Sequence, residues 1–180
     1  IIRSNYLQDP SAAIYEKARS LYEDLSQDLN YNVMFSPRGV IMLAQTHHEV
    51  RGYKRTAHAN SLQGVTTEWI GPQRVKQLCP IMNIEGPRYP VLGGLWQARG
   101  GTARHDAVAW GYARACTDMG MDIIQKCEVT GIAQSGGKVT GVQPTQGDIA
   151  CGKLGLVTAG HSGVLAQMAG FRLPLESVAL

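Results

Sequence analysis

Apolar residues first recur at helical spacing at Ile14, Ala18, Leu21, Tyr22 and Leu25. This stripe predicts an amphipathic helix that buries one face. Asp9-Pro10-Ser11 reads as its start, a capping carboxylate followed by proline at the first helical position. Asn32–Phe35 and Val40–Ala44 are β-type runs around Ser36-Pro37-Arg38-Gly39, the pattern of a β-hairpin. Charged sequence from His47 to about Gln63 reads as mostly helical. Gly71-Pro72 opens a short helix ending at Pro80, with Val75 and Leu78 inward, and Arg88–Gln97 is strand-like. From Asp106 to Met119 the positions Val108, Ala109, Tyr112, Ala115, Cys116 and Met119 mark a second amphipathic helix, which Gly120 closes. Met121–Ile124, Glu128–Ala133, Lys138–Thr145 and Asp148–Ala150 are short β segments with a turn at Gly136-Gly137. Leu154–Thr158 reads as a buried strand ending in Ala159-Gly160, and Ser162 opens another helix.

This order predicts an α/β layered fold with a small β-meander inserted as a crossover, and a separate β-rich layer from Val33 to Gln97. At 180 residues, with 44% hydrophobic and 17% charged positions, the chain is a globular protein rather than a disordered one. No apolar run is long enough for a membrane-spanning helix. A net charge of +3, with 17 scattered basic residues, gives no support to nucleic-acid binding. Cys79, Cys116, Cys127 and Cys151 form no C-x-x-C pair and no zinc spacing, which suits reduced thiols in a cytoplasmic protein. The opening IIRSNYL lacks an initiator methionine and the basic region of a signal peptide. With the unpunctuated ending LPLESVAL, it reads as an internal piece of a longer protein.

Three places hold candidate chemistry, each with two readings. In Arg99–Trp110, RGGTARHDAVAW, a flexible turn delivers His105 and Asp106 to a helix mouth. They either satisfy the first backbone N–H groups or mark a binding site. Arg3 is either a surface charge or a guanidinium that recognises a carboxylate by paired hydrogen bonds. Val157–Ser162 is either a tight strand–helix connection or a turn whose small residues let the backbone approach a ligand. His47, His48 and His58 read as solvated.

IIRSNYL, FSPRGVIMLA, RYPVLGGLWQARGGTARHDAVAW, MGMDIIQKCEVTGI and TAGHSGVLAQMAGFRLPL, in unbroken order, resemble the beta-subunit family of heterotetrameric sarcosine oxidases. That family lies within the wider D-amino-acid-oxidase-like flavoproteins. The resemblance implies a mixed α/β fold: an FAD-binding three-layer Rossmann-like domain carrying an inserted β-sheet substrate domain, incomplete at both ends. Residues 1–32 and 99–170 are expected in the FAD-binding domain, and 33–98 and 171–180 in the substrate domain. The implied reaction is oxidative demethylation of sarcosine to glycine, with hydride passing to FAD, electrons to FMN, and O₂ becoming H₂O₂.

The resemblance also assigns roles. His105, in Arg104-His105-Asp106, is implied as the covalent FMN anchor, with Arg104 stabilising negative charge on the flavin or its phosphate. Many relatives have a second histidine two positions on, where this chain has Ala107. Val129 is implied to meet the FAD adenine through its main chain, Ala159 and Gly160 to line the same cofactor, and Arg3 to pair with the substrate carboxylate. Alpha, gamma and delta subunits are implied partners, with NAD and tetrahydrofolate held on another subunit. The alternatives are a related amine oxidase or dehydrogenase for another N-methyl amino acid, such as dimethylglycine, and a non-catalytic flavoprotein-like assembly subunit.

Overall fold

The structure is a computed structural model that describes residues 1–176; the last four positions of the segment 171–180 lie outside the described residues. It divides into two compact units, Ile1–Asp122 and Ile123–Leu180.

The first unit is built on a three-stranded antiparallel sheet, β1 (Val40–Ala44), β2 (Glu68–Ile70) and β3 (Gly93–Gln97), in the order β1-β3-β2. The register sets Ile41 opposite Trp96, Leu43 opposite Gly94 and Ile70 opposite Gly94, so these residues share one face. Against that face packs helix α3 (Pro72–Leu78), whose Val75 is fully buried in a cluster with Ile70 and Val91. Leu95 and Gln97 point the other way, each 1% exposed. Helix α2 (His47–Leu62) covers this second face, as Lys54 over the Trp69 ring shows. A full capping box starts α2: the Thr46 hydroxyl accepts from Glu49 N, and the Glu49 carboxylate accepts from Thr46 N.

Helix α1 (Asp9–Asp28) begins one residue earlier than the sequence suggests. Gln8 is its N-cap, so Asp9 lies inside the first turn, where its carboxylate accepts from Gln63 Nε2 at 2.6 Å. Its buried residues are Ala12, Arg19 and Leu25, whereas Ile14 and Leu21 of the predicted apolar stripe are exposed.

The predicted hairpin across Ser36–Gly39 does not form. Ser36 pairs with Thr102, Gly39 N donates to Gly100 O at 2.8 Å, and Val40–Ala44 pairs with Gly93–Gln97. Residues 36–44 are therefore one interrupted partner of 93–102, and the long-range ladder replaces the local turn. Ile2 adds a bridge to Gly101 from the other side. Glycine is required at 101 because a Cβ there would lie 2.2 Å from Ser36 O and 2.8 Å from Pro37 Cα. Gly101→Ala is expected to destabilise the full-length protein by about 1–3 kcal/mol in urea unfolding.

Helix α4 (His105–Asp118) ends in a Schellman motif: Met121 N donates to Cys116 O, Gly120 N to Thr117 O, and Gly120 has φ +86°. Ala109, Tyr112 and Met119 are exposed, so the predicted apolar face is only partly covered.

The second unit holds the meander β4 (Val129–Ser135), β5 (Lys138–Pro144) and β6 (Ile149–Ala150), paired in that order. Gly136 and Gly137 both have positive φ, as a tight type I′ hairpin requires. Two predicted strands are absent. Residues 121–124 are irregular, and so are 154–158, where Val157 is 93% exposed. An apolar run becomes a strand only beside a partner with free ladder groups, and no described segment pairs with 154–158. A short 3₁₀ turn, Ala159–His161, then leads into α5 (Ser162–Met168). No helix among the described residues is long and apolar enough to cross a membrane.

Candidate functional site

The segment after Ile2 is held on the second face of the first unit's sheet by side chains from several elements. Ser4 is fully buried: its N–H donates to Gln97 Oε1 at 3.0 Å, and its hydroxyl accepts from Gln97 Nε2 at 2.6 Å. The same hydroxyl donates to Glu16 of α1. Glu16 in turn pairs with Arg19, whose Nη1 meets Glu23 at 2.7 Å. The Arg19 hydrogen bond is the main cause holding the Glu16 carboxyl below its ordinary range. Arg99 pairs with Glu23 and fastens the start of the glycine turn to the same helix. From α2, Asn60 Nδ2 donates to Tyr6 O at 2.6 Å and Gln63 Nε2 to Leu7 O at 3.1 Å.

Arg3 stands at the edge of this network, half-buried. Its Nη1 donates to Asn5 Oδ1 at 2.7 Å, and its Cζ lies 4.4 Å from the centroid of the Tyr6 ring. That ring stacks on Tyr15 at 4.2 Å. Arg19, Arg99 and Arg104 each have a carboxylate partner, whereas Arg3, like the other arginines among the described residues, has none. A guanidinium fixed by an amide oxygen and an aromatic face keeps its charge for a ligand. Ser4, Asn5, Tyr6 and Gln97 were not singled out by sequence reading; the available signal was the run of polar residues directly after an arginine.

His105 is the first residue of α4 and is exposed. The N-cap is Arg104, with no side-chain cap bond, and His105 makes no side-chain hydrogen bond among the described residues. Its imidazole is thus not occupied with capping. Arg104 is committed to Asp106 through Nε–Oδ1 at 3.0 Å and Nη2–Oδ2 at 2.6 Å. That bond is the main cause lowering the Asp106 carboxyl to about 2. Because the folded value is depressed, the pair acts above the ordinary Asp range and is lost only as pH falls through about 2. Gly100 and Gly101, in the turn before α4, admit the close approach of Val40 and of the Ser36-Pro37 backbone.

The remaining candidates lie in the second unit. Glu128 O accepts from Thr145 N at 2.9 Å and Glu128 N donates to Thr145 Oγ1, so Glu128 faces β5. Strand alternation then turns the N–H and C=O of Val129 away from β5, toward the open edge of the sheet. Ala159 has φ +45°, a left-handed conformation uncommon for a residue with a side chain. Ala159 and Gly160 line a cavity of about 350 Å³ beside α5, with Gly163, Val164 and Gln167. A Cβ at Gly160 would meet nothing within 4 Å.

An open main-chain edge and a small-residue turn beside a cavity suit a nucleotide cofactor, and residues 1–179 match the family model of FAD dependent oxidoreductases. The chain belongs to that family. It is 74% identical, over its whole length, to sarcosine oxidase subunit beta of Rhodobacter capsulatus, and covers 44% of that protein. It is 54% identical over 98% of its length to sarcosine oxidase subunit beta of an Arthrobacter species, again covering 44%. The chain thus spans less than half the length of these curated relatives. Its fold matches the crystal structure of L-proline dehydrogenase from P. horikoshii with TM-score 0.86, over 94% of this chain and 44% of that one. At 22% identity that likeness concerns the fold alone.

Proposed function

We propose that the chain is part of a sarcosine oxidase beta subunit that works with alpha, gamma and delta partners in the cytoplasm. The observation that carries this reading is the 74% identity across every residue of the chain. The balanced reaction is sarcosine, water and O₂ giving glycine, formaldehyde and H₂O₂. Bound FAD supplies the two-electron acceptor, and FMN on His105 supplies the outlet to O₂; NAD and tetrahydrofolate belong to another subunit.

The chain's own residues bind and orient. Arg3 receives the substrate carboxylate on the N–H groups that Asn5 leaves available, which fixes the direction of the amine end. A single Arg–carboxylate pair shielded from water orients an amino acid without choosing among N-methyl substrates. Val129 offers its main-chain N–H and C=O to the adenine of FAD, and Ala159 and Gly160 line the same cofactor. Arg104, its charge balanced by Asp106, offers the flavin or its phosphate the guanidinium N–H groups that the pair leaves free. Residues 1–32 and 99–170 contribute to the FAD-binding domain, and 33–98 and 171–180 to the substrate domain.

In the assembled full-length enzyme, anaerobic sarcosine is expected to bleach the flavin and release one formaldehyde per glycine. Bleaching by dimethylglycine alone would move the assignment to the related amine oxidases. No bleaching by any N-methyl amino acid would leave an assembly subunit. Val129→Ile is expected to leave FAD bound, because only the main chain is used. Val129→Pro deletes the N–H and is expected to lower the flavin content measured after gel filtration. Full occupancy in the proline variant would place the adenine contact elsewhere.

A further inference from the structure

We propose that Asn5 sets the anion affinity of Arg3 and thereby selects substrates that carry a carboxylate; this rests on Arg3 as the carboxylate anchor. Asn5 is 3% exposed, and its Oδ1 is the acceptor for Arg3 Nη1. Its Nδ2 points to Met42 Sδ at 3.5 Å, which orients the amide against β1. The contact resembles an ion pair in shape but not in charge. Arg19, Arg99 and Arg104 are each met by carboxylates, Glu16 and Glu23, Glu23, and Asp106. Beside Arg3 the corresponding position is filled by the uncharged isostere of aspartate.

That difference has a chemical consequence. One N–H bond and the Tyr6 face fix the plane of the guanidinium, while its positive charge is not cancelled. A ligand carboxylate can then form the charge-assisted pair with the remaining donors. An aspartate at 5 would preserve the hydrogen bond and the shape, but it would neutralise Arg3 and repel an incoming carboxylate. A neutral N-methyl amine would not feel that repulsion. Asn5 is thus a positioning residue whose lack of charge determines specificity.

The test compares Asn5→Asp, Asn5→Ala and Arg3→Lys in the assembled full-length enzyme. The readouts are KM for sarcosine, KM for sarcosine methyl ester, and competitive inhibition by acetate. Asn5→Asp is expected to raise the sarcosine KM and the acetate inhibition constant by about tenfold or more. The rise should exceed that in Asn5→Ala, with the ester KM nearly unchanged. A role in packing alone gives the reverse order, alanine worse than aspartate and both substrates affected alike, and this result overturns the proposal. If Arg3→Lys leaves the sarcosine KM unchanged, the anchor reading itself fails. If Arg3→Lys raises KM but aspartate is no worse than alanine, only the role of Asn5 fails. Thermal melting and flavin content establish that each variant is folded. Should Asn5→Asp not assemble, Asn5→Ser supplies an uncharged acceptor and is expected to keep the sarcosine-to-ester kcat/KM ratio within about threefold. Collapse of that ratio likewise overturns the proposal.

Discussion

Replacing His105 with asparagine is expected to give a folded, assembled chain that carries no acid-stable flavin. The side chain is exposed at the first position of α4, and the N-cap role falls to Arg104 without a side-chain bond. No structural task is lost with the imidazole, so stability should change by no more than about 0.5 kcal/mol. The chemistry lost is a nucleophilic ring nitrogen that asparagine cannot replace. Trypsin cuts after Arg104, so in the parent enzyme the peptide beginning at His105 should carry one FMN mass. In the variant it should carry none, while FAD remains. Sarcosine should then reduce the FAD with slow or absent passage of electrons to O₂. Capping by His105 would instead give a loss of about 1 kcal/mol with flavin content unchanged. A variant that keeps covalent flavin ends the assignment.

Elements that close their own hydrogen bonds locally were legible in the sequence. Helix α2 carries its capping box in Thr46 and Glu49, and the hairpin at Gly136-Gly137 carries the two positive φ angles its turn requires. Elements that depend on distant partners were not. Residues 36–44 look like a hairpin until Gly93–Thr102 takes up their ladder groups. Leu154–Thr158 has the composition of a buried strand, but composition supplies no neighbour. The stripe on α1 held at Leu25 but not at Ile14 and Leu21, for a related reason. Periodicity locates an apolar face, yet at this helix the covered positions include Arg19, 1% exposed and neutralised by Glu16 and Glu23. A buried charge that is satisfied by its own helix does not register as a core position.

The candidate residues were legible as short motifs, but their surroundings were not. Sequence reading left Arg3 between a surface charge and a carboxylate receptor. The surroundings that support the proposed receptor, Asn5, the stacked Tyr6 and Tyr15, and Gln97 at 93 positions from Ser4, come together only in the fold. For His105 the structure bears on the cap reading alone, since Arg104 holds the N-cap position without a side-chain bond. The flexible turn before His105 gave no sign that at Gly101 the nearest atoms would be the Ser36-Pro37 backbone.

Arg3→Lys is expected to raise the KM for sarcosine strongly while changing kcat little. Lysine keeps the charge but presents a point cation in place of a planar fork, so it cannot donate to Asn5 and to both carboxylate oxygens in one plane. It also gives up the flat contact over the Tyr6 ring. A hydrogen bond to a charged group contributes about 1.5–3 kcal/mol, which corresponds to a fall in kcat/KM of roughly ten- to over a hundredfold. The carboxylate is remote from the N-methyl carbon and is held alike in the ground and transition states. The loss should therefore appear in KM rather than in kcat. Sarcosine methyl ester, which lacks the anion, should lose much less. Unchanged sarcosine kinetics would remove Arg3 from the site. An equal loss for sarcosine and its ester would make Arg3 a support for the IIRSNY segment rather than a receptor for the carboxylate.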